Sequence, residues 1–322
     1  MDFRLTRDQV GLRDGIRALL AGRFGAEQLR AAVDGGSGGV RDELAAAGLF
    51  LLRRPEPDGG LGLGMAEAVL AFEEVGRALV PGPLVATELA AVHGADPGDG
   101  STACLAGVVR MPAAGRGPVL VERLPELAVL LVLDLAAGEV RTLTPAQVPA
   151  RQVRSVDPMT PLWELVGPLP RGELLPRADP ALLWAEGTLL TAALQVGLAA
   201  RAVESAVSYA GQREQFGRPI GGFQAVQHLC AEMLARLEPA RAAVRAAALT
   251  ADPVEVAGAR LLADEAAVRG ARDSLQVHGG MGFTWEADVH LLLKRAWLLE
   301  RVFAGTAECL DRVASGLVGG MA

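Results

Sequence analysis

Apolar residues recur at helical spacing along residues 10–20, 40–47, 65–79 and 84–92, so the chain opens as a set of helices. Thr6 and Gln9 spell a capping box ahead of the first of them, because a Thr hydroxyl and a Gln side chain three residues on can each bond the other's backbone N–H. The stretch RRPEPDGGLGLG at 53–64 reads as a Pro/Gly loop between the second and third helices. From 94 to 180 the pattern changes to short apolar runs, CLAGVV, PVLVE, LAVLLVL and GEVRTLT, which predict strands. Turns are expected at 112–118, 136–138 and 157–161, and PLPRGELLPRADP at 168–180 reads as a linker. Helical period then returns over 181–212, with Leu190, Leu194, Gly197, Leu198 and Arg201 on one face, and again over 223–249. Asp252, Pro253 and Glu255 supply an N-cap, a Pro at the first helical position and an acid at the third for a helix ending near Gln276. A fourth helix is expected over 286–303. The expectation is a mainly α protein with a small β insert, divided at 1–93, 94–180 and 181–322, and closed by a four-helix bundle. The tract GGSGG at 35–39 reads as flexible.

Composition narrows the function classes. Hydrophobic residues make up 51% of the chain and aromatics only 4%, so the core is built from Ala, Leu and Val, which suits closely packed helices. A net charge of -7 without a basic block argues against nucleic acid or an anionic membrane as the main partner. Cys104, Cys230 and Cys309 are far apart and lack CxxC spacing, so free thiols are expected and no metal site. The first residues, MDFRLTRDQV, carry no apolar signal-type run, and the apolar stretch 127–133 is too short to span a bilayer. The expected location is the cytoplasm, and the expected partners are small molecules and other proteins.

Three segments carry more than periodicity. YAGQREQFGRPIGGFQAVQHLCAEM at 209–233 resembles the helix-turn-helix signature of the acyl-CoA dehydrogenase family. QVHGGMGFTWEADVHLLLKRA at 276–296 is similar to that family's glycine loop and following helix, and PEPDGGLGLGMAEAVLAFEEVGRAL at 55–79 matches more weakly. The three fall in the family's order and cover both helical segments. The resemblance implies FAD as cofactor and a set of contacts to it. Arg213 would meet the FAD pyrophosphate with its planar fork, Gln215 would offer an amide, and Phe216 an apolar cover. Gln276, Gly279 and Gly280 would form a second wall, glycines letting backbone N–H groups approach closely. Gln224, Gln227 and His228 lie on the following helix, and the last two suit packing at least as well as cofactor contact.

The resemblance also shows what is missing. Family members take a proton from the α-carbon of an acyl-CoA thioester with a Glu set directly before Gly-Thr; here RVFAGT places Ala304 there, ahead of Gly305 and Thr306. A minority carries the base early in the long helix before the QFG turn, a position that falls on Gly187, with Glu186 one residue and about 100° away. Glu186 is thus a weak candidate base, a solvated first-turn carboxylate being the plainer reading, and Glu300 and Glu308 match no family base position. The chain has no Asn and only one lysine, Lys294, so the family's Lys-x-x-Ile-Thr-Asn flavin strand is absent and the β segment looks truncated. The implied role is a shortened, base-lacking oxidoreductase subunit of lipid, fatty acid or steroid degradation. It would share FAD with a longer catalytic homologue in an α2β2 heterotetramer, acting on an acyl-CoA and passing electrons to a separate acceptor. A self-sufficient homo-oligomer with a non-standard base and a non-catalytic scaffold of the same fold are the alternatives.

Overall fold

A computed structural model of the protein describes residues 4–35, 39–95, 104–111 and 118–319. Residues 36–38 of the glycine tract and 112–117 of the first expected turn lie outside them. In chain order the described elements are helices α1 (Arg7–Arg23), α2 (Ala26–Val33), α3 (Val40–Ala46), α4 (Met65–Arg77) and α5 (Leu84–Val92). Strands β1 (Ala106–Arg110), β2 (Leu120–Glu122), β3 (Val129–Asp134), β4 (Glu139–Leu143), β5 (Ala150–Val153), β6 (Leu162–Leu165) and β7 (Glu173–Leu174) follow. Then come α6 (Pro180–Gln212), the hairpin β8 (Glu214–Gln215) and β9 (Arg218–Pro219), α7 (Gln224–Thr250), α8 (Pro253–His278), α9 (Val289–Leu299) and α10 (Thr306–Gly319). The protein is mainly α with small sheets, as the periodicity predicts. The chain divides into two compact units, one of residues 1–21, 65–79 and 188–322, the other of 22–64 and 80–187.

In the first unit the helix starts follow local chemistry. Thr6 N–H donates to Gln9 Oε1 at 3.0 Å and Gln9 N–H to Thr6 Oγ1 at 3.2 Å, the reciprocal box that starts α1. Asp252 Oδ1 accepts from Val254 N–H at 2.8 Å and Glu255 N–H at 3.0 Å to start α8. The glycine face of α6 has a steric cause. A Cβ on Gly197 would lie 2.0 Å from the Glu73 carbonyl oxygen, and one on Gly76 2.2 Å from that of Leu194, so α4 and α6 touch backbone to backbone. By length and composition α6 could cross a bilayer, yet 67% of its most apolar window is buried inside the protein, where that apolarity forms core. Where one helix was expected over 286–303, α9 ends at Leu299, Phe303 takes φ +57° and Gly305 follows, and a fifth helix, α10, begins at Thr306.

In the second unit β1 pairs parallel with β3, which pairs antiparallel with β4, and β4 with β7. A separate antiparallel sheet runs β2–β6–β5. Strand β3 explains the unbroken apolar run: Leu130 and Val132 join one core cluster with Val109 and Val121, while Val129, Leu131 and Leu133 join another with Ala90 and Leu183. The stretch read as a linker is more than that. It contains β7, and its last residues start α6, where Asp179 Oδ1 accepts from Ala181 N–H at 2.8 Å.

Candidate functional site

The six residues expected to face a cofactor all lie in the first unit, on the surface at the ends of α6 and α8. Helix α6 ends at Gln212; Arg213 N–H still donates to Tyr209 O at 2.8 Å, and the chain then turns back through β8 and β9. Phe216 and Gly217 form the two-residue loop, with φ +54° and +77°, the left-handed pair that lets a tight hairpin match strand twist. The result lifts Phe216 to the tip, 91% exposed, its ring edge-on to Phe223 at 6.0 Å. Arg218 lies over the Phe223 ring at 4.1 Å. Arg213 is exposed, and its guanidinium has no hydrogen-bond or ion-pair partner among the described residues. Gln215 donates from Nε2 to its neighbour's carbonyl, Glu214 O, at 2.8 Å.

Helix α8 ends in the glycine loop. Gln276 is exposed, Gly279 takes φ +60°, and a Cβ on either Gly279 or Gly280 would meet nothing within 4 Å. Both peptide planes are therefore open to close approach by a ligand. A contact that the sequence did not announce holds the two motifs side by side: the Tyr209 ring stacks on His278 at 4.2 Å, and His278 Nδ1 donates to Ser274 O at 2.7 Å. Tyr209 opens the first motif and His278 sits inside the second, so their presence in both quoted segments was the only available signal. Gln224, Gln227 and His228 are exposed on α7, and Gln227 Nε2 donates to Gly221 O at 2.9 Å, a local bond that steadies the turn.

The base positions read differently. Ala304 is buried, and its N–H reaches Thr188 Oγ1 at 3.4 Å. Near it Cys309 Sγ lies 3.8 Å from Ala304 O, and burial pushes that thiol up to about 11, which leaves it an inert apolar side chain. Glu300 is half-buried, with Thr306 Oγ1 at 3.4 Å from its Oε1. Glu308 is half-buried as well.

Glu186, in the second unit, is not a solvated carboxylate. It is largely buried, accepts from Arg53 Nη2 on Oε1, and faces His93 Nε2 on Oε2 at 2.9 Å. Burial alone would raise its pKa, but the His93 hydrogen bond and the Arg53 charge outweigh it and hold the carboxyl below its usual range. A carboxylate whose anionic form is favoured in this way is a weaker proton acceptor than a free one. Among the described residues no three His, Cys, Asp or Glu side chains gather into a metal-holding group.

Comparison with known proteins decides the family. The model described as "Acyl-CoA dehydrogenase, C-terminal domain" matches residues 185–315, and that described as "Acyl-CoA dehydrogenase, N-terminal domain" matches residues 6–95. The chain belongs to the acyl-CoA dehydrogenase family. Acyl-CoA dehydrogenase IpdE2 of Mycobacterium tuberculosis is 33% identical, over 94% of this chain and 95% of that protein. Among solved structures, a chain of the ChsE4-ChsE5 complex from Mycobacterium tuberculosis has a TM-score of 0.85 at 24% identity, covering 99% of both chains. A chain of the Tcur3481-Tcur3483 steroid ACAD G363A variant has a TM-score of 0.84 at 24% identity, covering 98% of both. The acyl-CoA dehydrogenase fold thus extends over the whole chain, including the stretch between the two matched domains.

Proposed function

We propose that this chain is the shortened subunit of an FAD-dependent acyl-CoA dehydrogenase, and that it completes an FAD site seated mainly in a longer catalytic partner. The observation that carries the reading is a mismatch within one chain. The cofactor-type residues Arg213, Phe216 and the Gly279–Gly280 peptides are exposed, Phe216 touching only the edge of Phe223 among the described residues, while the two base positions hold a buried Ala304 and Gly187, and the neighbouring Glu186 is tied to Arg53 and His93. Arg213 would clamp the pyrophosphate, Gln215 would bond a polar edge, Phe216 would keep water off one face, and Gln276 with the glycine peptides would close the adenosine side. FAD, held there, would supply a hydride acceptor for the β-carbon, and the α-proton would need a carboxylate from the partner. The likeness to the ChsE4-ChsE5 complex and to the Tcur3481-Tcur3483 steroid ACAD supports an assembly with a second, different subunit, here taken as α2β2, and a bulky, steroid-type acyl-CoA.

The domain division at 1–93, 94–180 and 181–322 and a cytoplasmic location belong to the same reading. Purified alone, the chain is expected to be colourless and inactive; co-expressed with a full-length homologue it yields a yellow, active complex. A yellow and active preparation of this chain alone would overturn the proposal. Arg213→Ala is expected to weaken FAD binding by the assembled complex roughly tenfold or more, since a charge-assisted bidentate contact is worth about 1.5–3 kcal/mol. Unchanged affinity would favour a scaffold role. Glu186→Gln in the complex is expected to leave kcat within about twofold, because the proton acceptor lies in the partner.

A further inference from the structure

One cluster of charged side chains in the second unit is explained neither by the cofactor residues nor by packing. Arg53 lies just after the short 3-10 helix Leu49–Leu51, Glu88 and His93 lie on α5 and at its C-terminal end, and Glu186 lies in the second turn of α6. All four are largely buried: their side chains are 9%, 1%, 14% and 13% exposed. One guanidinium serves two acids. Arg53 Nη2 is committed to Glu186, whereas Nη1 reaches Glu88 Oε2 only at 3.4 Å, and Glu88 Oε1 has no hydrogen-bond partner. Across α5, strand β1 offers Glu88 no compensating charge: its Ala106 N–H bonds the Thr87 hydroxyl at 3.1 Å, and Arg110 lies over the Trp184 ring at 5.0 Å. Ionised, Glu88 would be a buried anion with one long contact and a second anion beside it; protonated, it is neutral, and Arg53 is left to Glu186.

We propose that Arg53, Glu88, His93 and Glu186 form a proton-operated latch that fastens residues 49–53 and α5 to the start of α6, shut while Glu88 holds its proton and loosened when that proton leaves. Burial pushes the Glu88 carboxyl up, Arg53 partly offsets this, and the Glu186 charge raises it again, to about 7. The sign follows from the raised pKa. Well below the unfolded-state value the carboxyl is protonated folded and unfolded, and it has no effect on stability. Between that value and about 7 the unfolded chain releases the proton more readily, so stability falls as pH rises, and the loss is complete once the folded carboxyl also ionises. The latch would thus register the proton concentration near neutrality through the grip on α5.

The test uses the full chain. Its melting temperature is expected to fall by roughly 3 °C between about pH 5.5 and pH 8.5, and Glu88→Gln, which cannot ionise, is expected to remove most of that fall. Identical pH profiles for the two proteins would overturn the latch. Should the variant fail to fold, hydrogen exchange on the wild-type chain decides. Corrected for the intrinsic pH dependence of exchange, protection lost with rising pH in α5 and residues 49–53 but kept in α8 supports it, and a uniform change across both overturns it. Neither readout involves FAD, so failure here and failure of the shared-cofactor reading are separately visible.

Discussion

Arg53 joins two acids on different elements, and removing it would strand both in a poorly solvated pocket. Arg53→Ala is therefore expected to cost about 3–5 kcal/mol in urea denaturation, the range for breaking one side of a buried pair. Asp252→Ala and Asp179→Ala should each cost about 1 kcal/mol, since each carboxylate caps the first turn of a long helix. These residues also mark how far the sequence can be read at this scale. Thr6 with Gln9, and Asp252 with Pro253, are legible because cap and partner lie within three residues. Asp179 and Pro180 repeat the second device, yet they close a Pro-rich stretch that reads as a linker. Glu186 is illegible for a different reason: its partners, Arg53 and His93, lie 133 and 93 residues away in the chain, and only folding brings them together.

Elements with strong period were readable, and those whose existence depends on a neighbour were not. The run LAVLLVL announces β3, whereas β7 is a two-residue strand that exists only because β4 offers it an edge. Helix α2 spans only eight residues, and α10 is set apart from α9 by the break at Phe303 and Gly305, so neither stands out as a separate helix in the sequence. The crossing of α4 and α6 is set by Gly76 and Gly197. A methyl group at Gly197 has no space to enter, so Gly197→Ala is expected to destabilise the chain by roughly 1–3 kcal/mol, while Gly211→Ala, where nothing lies within 4 Å, should be neutral or slightly stabilising. Paired urea titrations of the two variants check this; equal effects would mean that α4 and α6 do not meet closely.

For the whole molecule, the alanine at the family's usual base position and the exposed hairpin and glycine loop favour the same proposed role. Restoring the missing carboxylate should not restore chemistry: Ala304→Glu is expected to leave the isolated chain without dehydrogenase activity, because the flavin strand pattern is absent too, and to lower its melting temperature by burying an acid beside Cys309. The family and the helical architecture were legible from three motifs in order; the fifth C-terminal helix and the ring stack joining two motifs were not, since neither follows from local pattern. The hairpin tip carries one last implication. An aromatic side chain held at φ +54° and 91% exposed stores about 1 kcal/mol of backbone tension, set against only an edge contact of its ring with Phe223. On the proposed shared-cofactor reading, Phe216→Gly would make the lone chain harder to unfold and the complex poorer at retaining FAD, a divergence in sign that a melting curve and a FAD titration check together.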